Sequence, residues 1–167
     1  MKSAFVAAVV AFAVASPCLA QEPVGCDKFK WPLEKERAML TGDTPAVASG
    51  TSLTPALPVS VVVSLKPFAN AKLPMAPERA PKSPDSFAGF VDVPAPAKAG
   101  IYKVSLSAAA WVDVVQGGKL LKSDNFSGAL GCEGIRKSVK FDLAAQPFTI
   151  QLSAVQADSI RIAITGD

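Results

Sequence analysis

The chain of 167 residues contains no histidine. Imidazole is the side chain that titrates near neutral pH and the commonest metal ligand. Without it there is no Ser-His-Asp or Cys-His machinery, no two-His-one-carboxylate iron site and no ordinary catalytic zinc site. Catalysis by carboxylates alone, as in glycosidases, passes this filter. Aromatic residues make up 7% of the chain, and no basic run is interleaved with them, so nucleic acid is not an expected partner. A calcium cage needs about six to eight oxygen ligands, and the sequence offers scattered carboxylates with no Asp-x-Asp-x-Asp-Gly run. No metal or other cofactor is expected. Beyond residue 20 no apolar run is long enough to span a bilayer.

The apolar run that does exist lies at the start. Lys2 precedes "AFVAAVVAFAVA", and "CLA" places small residues at and before Ala20. This is the pattern of a secretory signal peptide cleaved after Ala20, and the expected location is periplasmic or secreted. A lipoprotein modified at Cys18 is the competing reading, which Pro17 fits poorly. Removal of 1–20 takes Lys2 from the 17 basic residues and none of the 14 acidic ones, leaving 147 residues with a charge of +2. That length suits one domain. Of three cysteines, Cys26 and Cys132 then remain. An oxidising compartment and an even count favour a Cys26–Cys132 disulfide. A reactive Cys132 thiol, activated by Arg136 and Lys137, is the sharper alternative.

Residues 21–56 read as an N-terminal helix and linker, and 57–167 as the β-domain. The helix is expected over about 32–40. Pro32 sits in the first turn, Leu33, Arg37 and Leu40 lie on one side, and Gly42 stops it. Residues 42–56 are Gly, Thr, Ser and Pro without periodicity. From residue 57 the pattern changes to period two: Leu57, Val59, Val61, Val63 and Leu65 share a face. Pro67, Pro74, Pro77, Pro81 and Pro84 then forbid a helix or a central strand over 66–86, leaving extended loop with a brief strand near Leu73. Further strands are expected at 86–93, 101–107, 110–116, 136–143, 147–153 and 159–165, with Gly117-Gly118 as a hairpin turn before "KLLK". Strand spacing of about ten residues points to a mainly β fold, an antiparallel, jelly-roll-like β-sandwich of eight or nine strands with one short N-terminal helix. Both faces of 110–116 carry apolar residues, which suggests a strand covered on both sides, with the N-terminal helix as its cover.

The stretch "AGIYKVSLSAAAWVDVVQGGKLLKS" resembles a hairpin of exported β-sandwich modules, among them prepeptidase C-terminal-like, PA14-like and carbohydrate-binding domains. The resemblance implies a jelly roll that binds sugar or Ca²⁺, or packs beside a catalytic domain. "CDKFKWPLEKERAML", "AWVDVVQGGKL" and "GCEGIRKSVKFDL" together resemble an uncharacterised family of small exported bacterial proteins. Chains of this kind are sometimes labelled homogentisate dioxygenases. Such enzymes resemble cupins with a His/Glu iron site, which a chain without histidine cannot build.

Sugar binding calls for an exposed aromatic platform with polar neighbours. Phe126, in "SDNFSG" with Asp124 and Asn125, is the best exposed candidate. Tyr102 falls on an apolar face, Trp31 reads as a core anchor, and Trp111 is ambiguous. Arg136 and Lys137 open a strand and could bind an anion or keep an edge from aggregating. The candidate ligand-binding residues are therefore Asp124, Asn125, Phe126 and Arg136. The leading expectation is a non-enzymatic binding or structural module of the cell envelope, its partner a glycan or an envelope protein. The alternative is a carboxylate-dependent hydrolase of envelope polysaccharide, using Asp113, Asp124 and Glu133.

Overall fold

Period-two alternation governs the architecture of the computed structural model, which describes residues 21–54 and 56–167. The expected leader peptide lies outside the described residues. Twelve strands and one α-helix are present among them. The strands are β1 (Ala46–Ala48), β2 (Thr51–Ser52), β3 (Val59–Ser64), β4 (Lys66–Pro67), β5 (Phe87–Val93) and β6 (Gly100–Leu106). They continue with β7 (Trp111–Gln116), β8 (Lys119–Leu121), β9 (Asn125–Gly128), β10 (Lys137–Leu143), β11 (Phe148–Val155) and β12 (Ser159–Gly166). The helix, α1, spans Glu34–Thr41.

Two six-stranded sheets result. Sheet one runs β1-β3-β12-β6-β10-β9; sheet two runs β2-β5-β11-β7-β8, with β4 also on β5. One core draws on both: Val61, Val63, Val104, Leu106, Phe141, Ile162 and Ile164 from sheet one, and Val91, Val114, Ile150 and Leu152 from sheet two. Burying each such side chain contributes about 1.5–3 kcal/mol. The apolar parity read from the sequence is therefore the core-facing parity. The hairpin at Gly117-Gly118 also forms, with φ of 60° and 73°, joining β7 to β8.

Several expectations need correction. The sheets are mixed, because β1 runs parallel to β3 and β2 parallel to β5. The supposed linker supplies both strands: the chain leaves sheet one after Ala48 and enters sheet two at Thr51. Gly50 donates to the Phe90 carbonyl at 2.7 Å on the way, and Ser49 Oγ accepts from the Phe90 N–H at 3.0 Å. The segment β3–β4 makes the same crossing through Leu65. These short pieces carry no periodicity because each contributes two or three residues to an edge. No strand forms near Leu73, and "NFSG" is the edge strand β9, so Phe126 belongs to a strand as opposed to a loop.

The N-terminal helix is not the cover of β7. Helix α1 packs on β12 and β3, on the outer face of sheet one. The strand at 111–116 belongs to sheet two, and its outer face is crossed by the proline-rich segment: Met75 N donates to Gln151 Oε1 (2.7 Å) and Glu78 N to Asp113 Oδ2 (3.3 Å). In α1 the buried partner of Leu33 and Leu40 is Glu36, 1% exposed, not Arg37. Glu36 receives Lys103 Nζ at 3.0 Å and a short hydrogen bond from the Thr165 hydroxyl. Arg37 Nε instead reaches the Glu133 carbonyl at 2.8 Å. Arg161, outward on β12, donates to the Leu40 and Gly42 carbonyls at 3.1 and 3.0 Å, satisfying groups the helix end leaves open. Cys26 and Cys132 form a disulfide across 106 residues, tying the turn that precedes α1 to the loop after β9.

Candidate functional site

A gap in the edge of sheet two positions the site. Strand β8 pairs with β7 only at residues 114–116, and the chain then crosses toward β9 in sheet one. Residues 111–113 of β7 are left without a neighbour on that side. A cavity of about 300 Å³ occupies the gap. Its walls are Trp111 and Asp113 of β7, Lys122 and Ser123, Phe126 of β9, and Lys137, Val139 and Phe141 of β10; Glu78 and Arg79 of the proline segment close over it. A second cavity of about 340 Å³ adjoins it, sharing Phe126 and Lys137 and adding Arg136, Glu22 and Pro23.

Trp111 is the centre of the polar arrangement. Its indole Nε1–H donates to Asp113 Oδ1 at 2.8 Å, as two residues of one parity on a strand allow. Arg79 stacks 4.4 Å from the ring centroid and Lys137 Nζ lies 5.1 Å from it. Lys137 Nζ also donates to the Ala110 carbonyl at 3.1 Å. Asp113 is buried, 4% exposed. Burial pushes its carboxyl above the ordinary value, and the bonds from Trp111 and the Glu78 amide only partly offset this. Burial holds Lys137 below the ordinary lysine value, and repulsion by Arg136 and Arg79 adds to it. With one oxygen accepting from Trp111 and the other from Glu78, Asp113 holds the Trp111 ring and the proline segment in place.

The four residues named from sequence divide. Phe126 is 60% exposed and lines both cavities, and Arg136 lines the second while pairing with Glu22. Asp124 lines neither; its N–H bonds to the Lys140 carbonyl at 2.9 Å. Asn125 also lines neither: its Oδ1 accepts from Lys30 Nζ at 3.3 Å and from Phe126 N at 2.9 Å, which fixes the start of β9. The carboxylates of the hydrolase reading are not gathered either. Asp113 lines the sheet-two gap, whereas Glu133 lines a groove with Glu34 and Arg37 beside α1. Trp31 and Tyr102, the remaining aromatic candidates, are engaged elsewhere. Trp31 packs with Leu33, Leu40, Cys132 and Ile135, beneath Lys140 Nζ at 4.8 Å. The Tyr102 hydroxyl bonds to the Lys98 carbonyl at 2.9 Å.

Sequence reasoning missed Arg79, Glu78 and Lys122. Arg79 is brought to Trp111 by a segment without periodicity, and nothing local signals that meeting. The role of Lys137 was legible: it shares parity with Val139, Phe141 and Leu143, a cation on the core-facing side of its strand. No protein-family model, curated protein or solved structure matches the chain.

Proposed function

We propose that the chain is an exported, non-enzymatic binding module, a jelly-roll-like β-sandwich of the periplasm or cell surface, whose ligand is a saccharide held in the cavity at Phe126 and Trp111. The observation that carries this reading is the cavity itself. An exposed phenyl ring and a half-buried indole line a space of about 300 Å³ with Arg79, Lys122, Ser123 and Lys137 around them. An apolar platform with a few polar groups is what a sugar ring requires, since its C–H face stacks while its hydroxyls hydrogen-bond. The Cys26–Cys132 disulfide supports an oxidising compartment.

The test is retention of the purified chain on a glycan array, with Phe126→Ala beside it. Phe126 is exposed and its removal leaves no core void, so the variant folds. Retention of the natural chain on one class of glycan, lost in Phe126→Ala, is expected. Equal retention of both chains would move the site elsewhere, and no retention on any glycan would overturn the saccharide.

A further inference from the structure

We infer that the ligand of this cavity is an acidic saccharide, a sugar chain bearing oxyanions, and that Lys137 and Arg79 receive its charge. The inference rests on the saccharide reading above and adds the ligand's charge to it.

Cation pairing separates Lys137 from its neighbours. Lys140, on the same strand, pairs with Asp167, and Lys103, on the adjacent strand β6, pairs with Glu36 and Asp167. No ion pair among the described residues involves Lys137, Arg79 or Lys122, the three cations that line the first cavity. The two carboxylates there make no ion pair with them, and Asp113 acts on Lys137 only as an opposite charge at longer range. Both Asp113 oxygens are committed to Trp111 and to the Glu78 amide. Glu78 is exposed on the rim of the proline segment beside the equally exposed Arg79, and no ion pair joins the two. Lys137 spends one bond on Ala110 and has ammonium protons left over. Lys137 also lines the second cavity, where the neighbouring Arg136 is already paired with Glu22.

Occupancy decides the sign. A ligand that fills the cavity strips water from Lys137 and Arg79. A neutral ligand gives Lys137, the more enclosed of the two, no counter-charge at contact distance, and an uncompensated buried cation is costly. An oxyanion supplies that charge and accepts the free donors in charge-assisted hydrogen bonds. Trp111, already stacked by Arg79, keeps the guanidinium edge oriented while its face is occupied.

The experiment uses the full mature chain, ¹⁵N-labelled, observed at the Trp111 indole N–H. Three probes are titrated: tetragalacturonate, its fully methyl-esterified form, and inorganic phosphate. The acid should shift the Trp111 indole saturably, the ester should bind at least about tenfold more weakly, and added salt should weaken the acid alone. Lys137→Met and Arg79→Met, each checked for an unchanged amide spectrum, should weaken the acid about tenfold and leave the ester unmoved, a loss set by one charge-assisted bond. Ester binding equal to acid would overturn the charge and leave the saccharide reading intact. A shift by phosphate with none by either sugar would keep the anion site and overturn the saccharide. No shift of Trp111 by tetragalacturonate or phosphate would overturn the inference outright.

Discussion

At Glu36 a single carboxylate joins the helix to sheet one, and it makes stability depend on pH. Burial alone would raise its pKa, but the Thr165 hydroxyl and the Lys103 ammonium together hold it below the ordinary glutamate value. A carboxyl depressed in the folded state stabilises in full above its ordinary value and loses that contribution as pH falls through the folded value. Asp167 is held low in the same way, first by its hydrogen bond from Lys140. Asp113 has the opposite sign. Its raised value means that its contribution is greatest in acid and is lost as pH rises from the ordinary aspartate range to the folded value. Glu36→Gln should therefore lower stability near pH 7 and flatten its loss in acid. Breaking a buried pair costs about 3–5 kcal/mol. Asp167 still stands 3.6 Å from Lys103, so about 2–3 kcal/mol is expected here. Guanidinium unfolding at a series of pH values checks both, and an acid limb as steep as that of the natural chain would refute the assignment.

Among the elements, the long strands were legible and the covers were not. Each of β3, β5, β6, β7, β10, β11 and β12 lies within about two residues of its expected span, because alternation fixes parity over six or more residues. Parity does not say what the polar face meets. Ser105 and Ser138, fully buried on the outward side of sheet one, bond to each other at 2.9 Å, and outward Gln151 on sheet two is 1% exposed. Their polarity serves covering segments and each other, whereas a solvated strand would look the same in sequence. The candidate site was half legible for a related reason: Phe126 and Arg136 are local signals, while Arg79 arrives over Trp111 through a non-local loop. Gln151→Met tests the pinning. It removes the acceptor for the Met75 N–H and also the buried Gln151 Nε2, which has no hydrogen-bond partner. Global stability should move by less than about 1 kcal/mol, since the two effects oppose each other. Hydrogen exchange at Met75 should accelerate sharply, and unchanged protection there would show that the prolines hold the segment alone. The corner between sheets gives a second element-scale test. A Cβ on Gly89 would stand 2.8 Å from both Leu65 Cδ2 and Ser49 Oγ. Leu65 is buried and Ser49 Oγ is bonded to Phe90, so neither can move freely. Gly89→Ala should cost about 1–3 kcal/mol, as overpacking does, read as a lower denaturant midpoint at constant slope.

For the whole molecule, the disulfide links the N-terminal cover to the two sheets, but contacts of the folded state determine whether they unfold together. Within the folded chain the cover is also held by the Glu36–Lys103 pair, by Arg161 at the end of α1, and by Gly25 and Leu130, whose N–H groups bond across at 2.8 Å to Leu130 and Pro23. Cys26 and Cys132 enclose most of the β-domain between them, a separation of 106 residues. In the chain-entropy account a loop of that length restricts the unfolded ensemble by about 4–5 kcal/mol, and the folded state gains little from it directly. Replacing both cysteines by Ala should therefore leave the folded near-ultraviolet spectrum nearly unchanged. The guanidinium midpoint should fall by that amount divided by the denaturant slope, with the slope itself rising as the unfolded chain expands. A single transition followed identically by Trp31, on the cover, and Trp111, in sheet two, would show one cooperative unit. If the variant lost Trp31 packing at a lower midpoint than Trp111, the cover would be a separate unit that the disulfide fuses to the sheets. The buried, charged seam beneath α1 predicts the single transition, because lifting α1 would break the Glu36–Lys103 pair and uncover the Leu33 and Leu40 packing, leaving Lys103 with Asp167 alone.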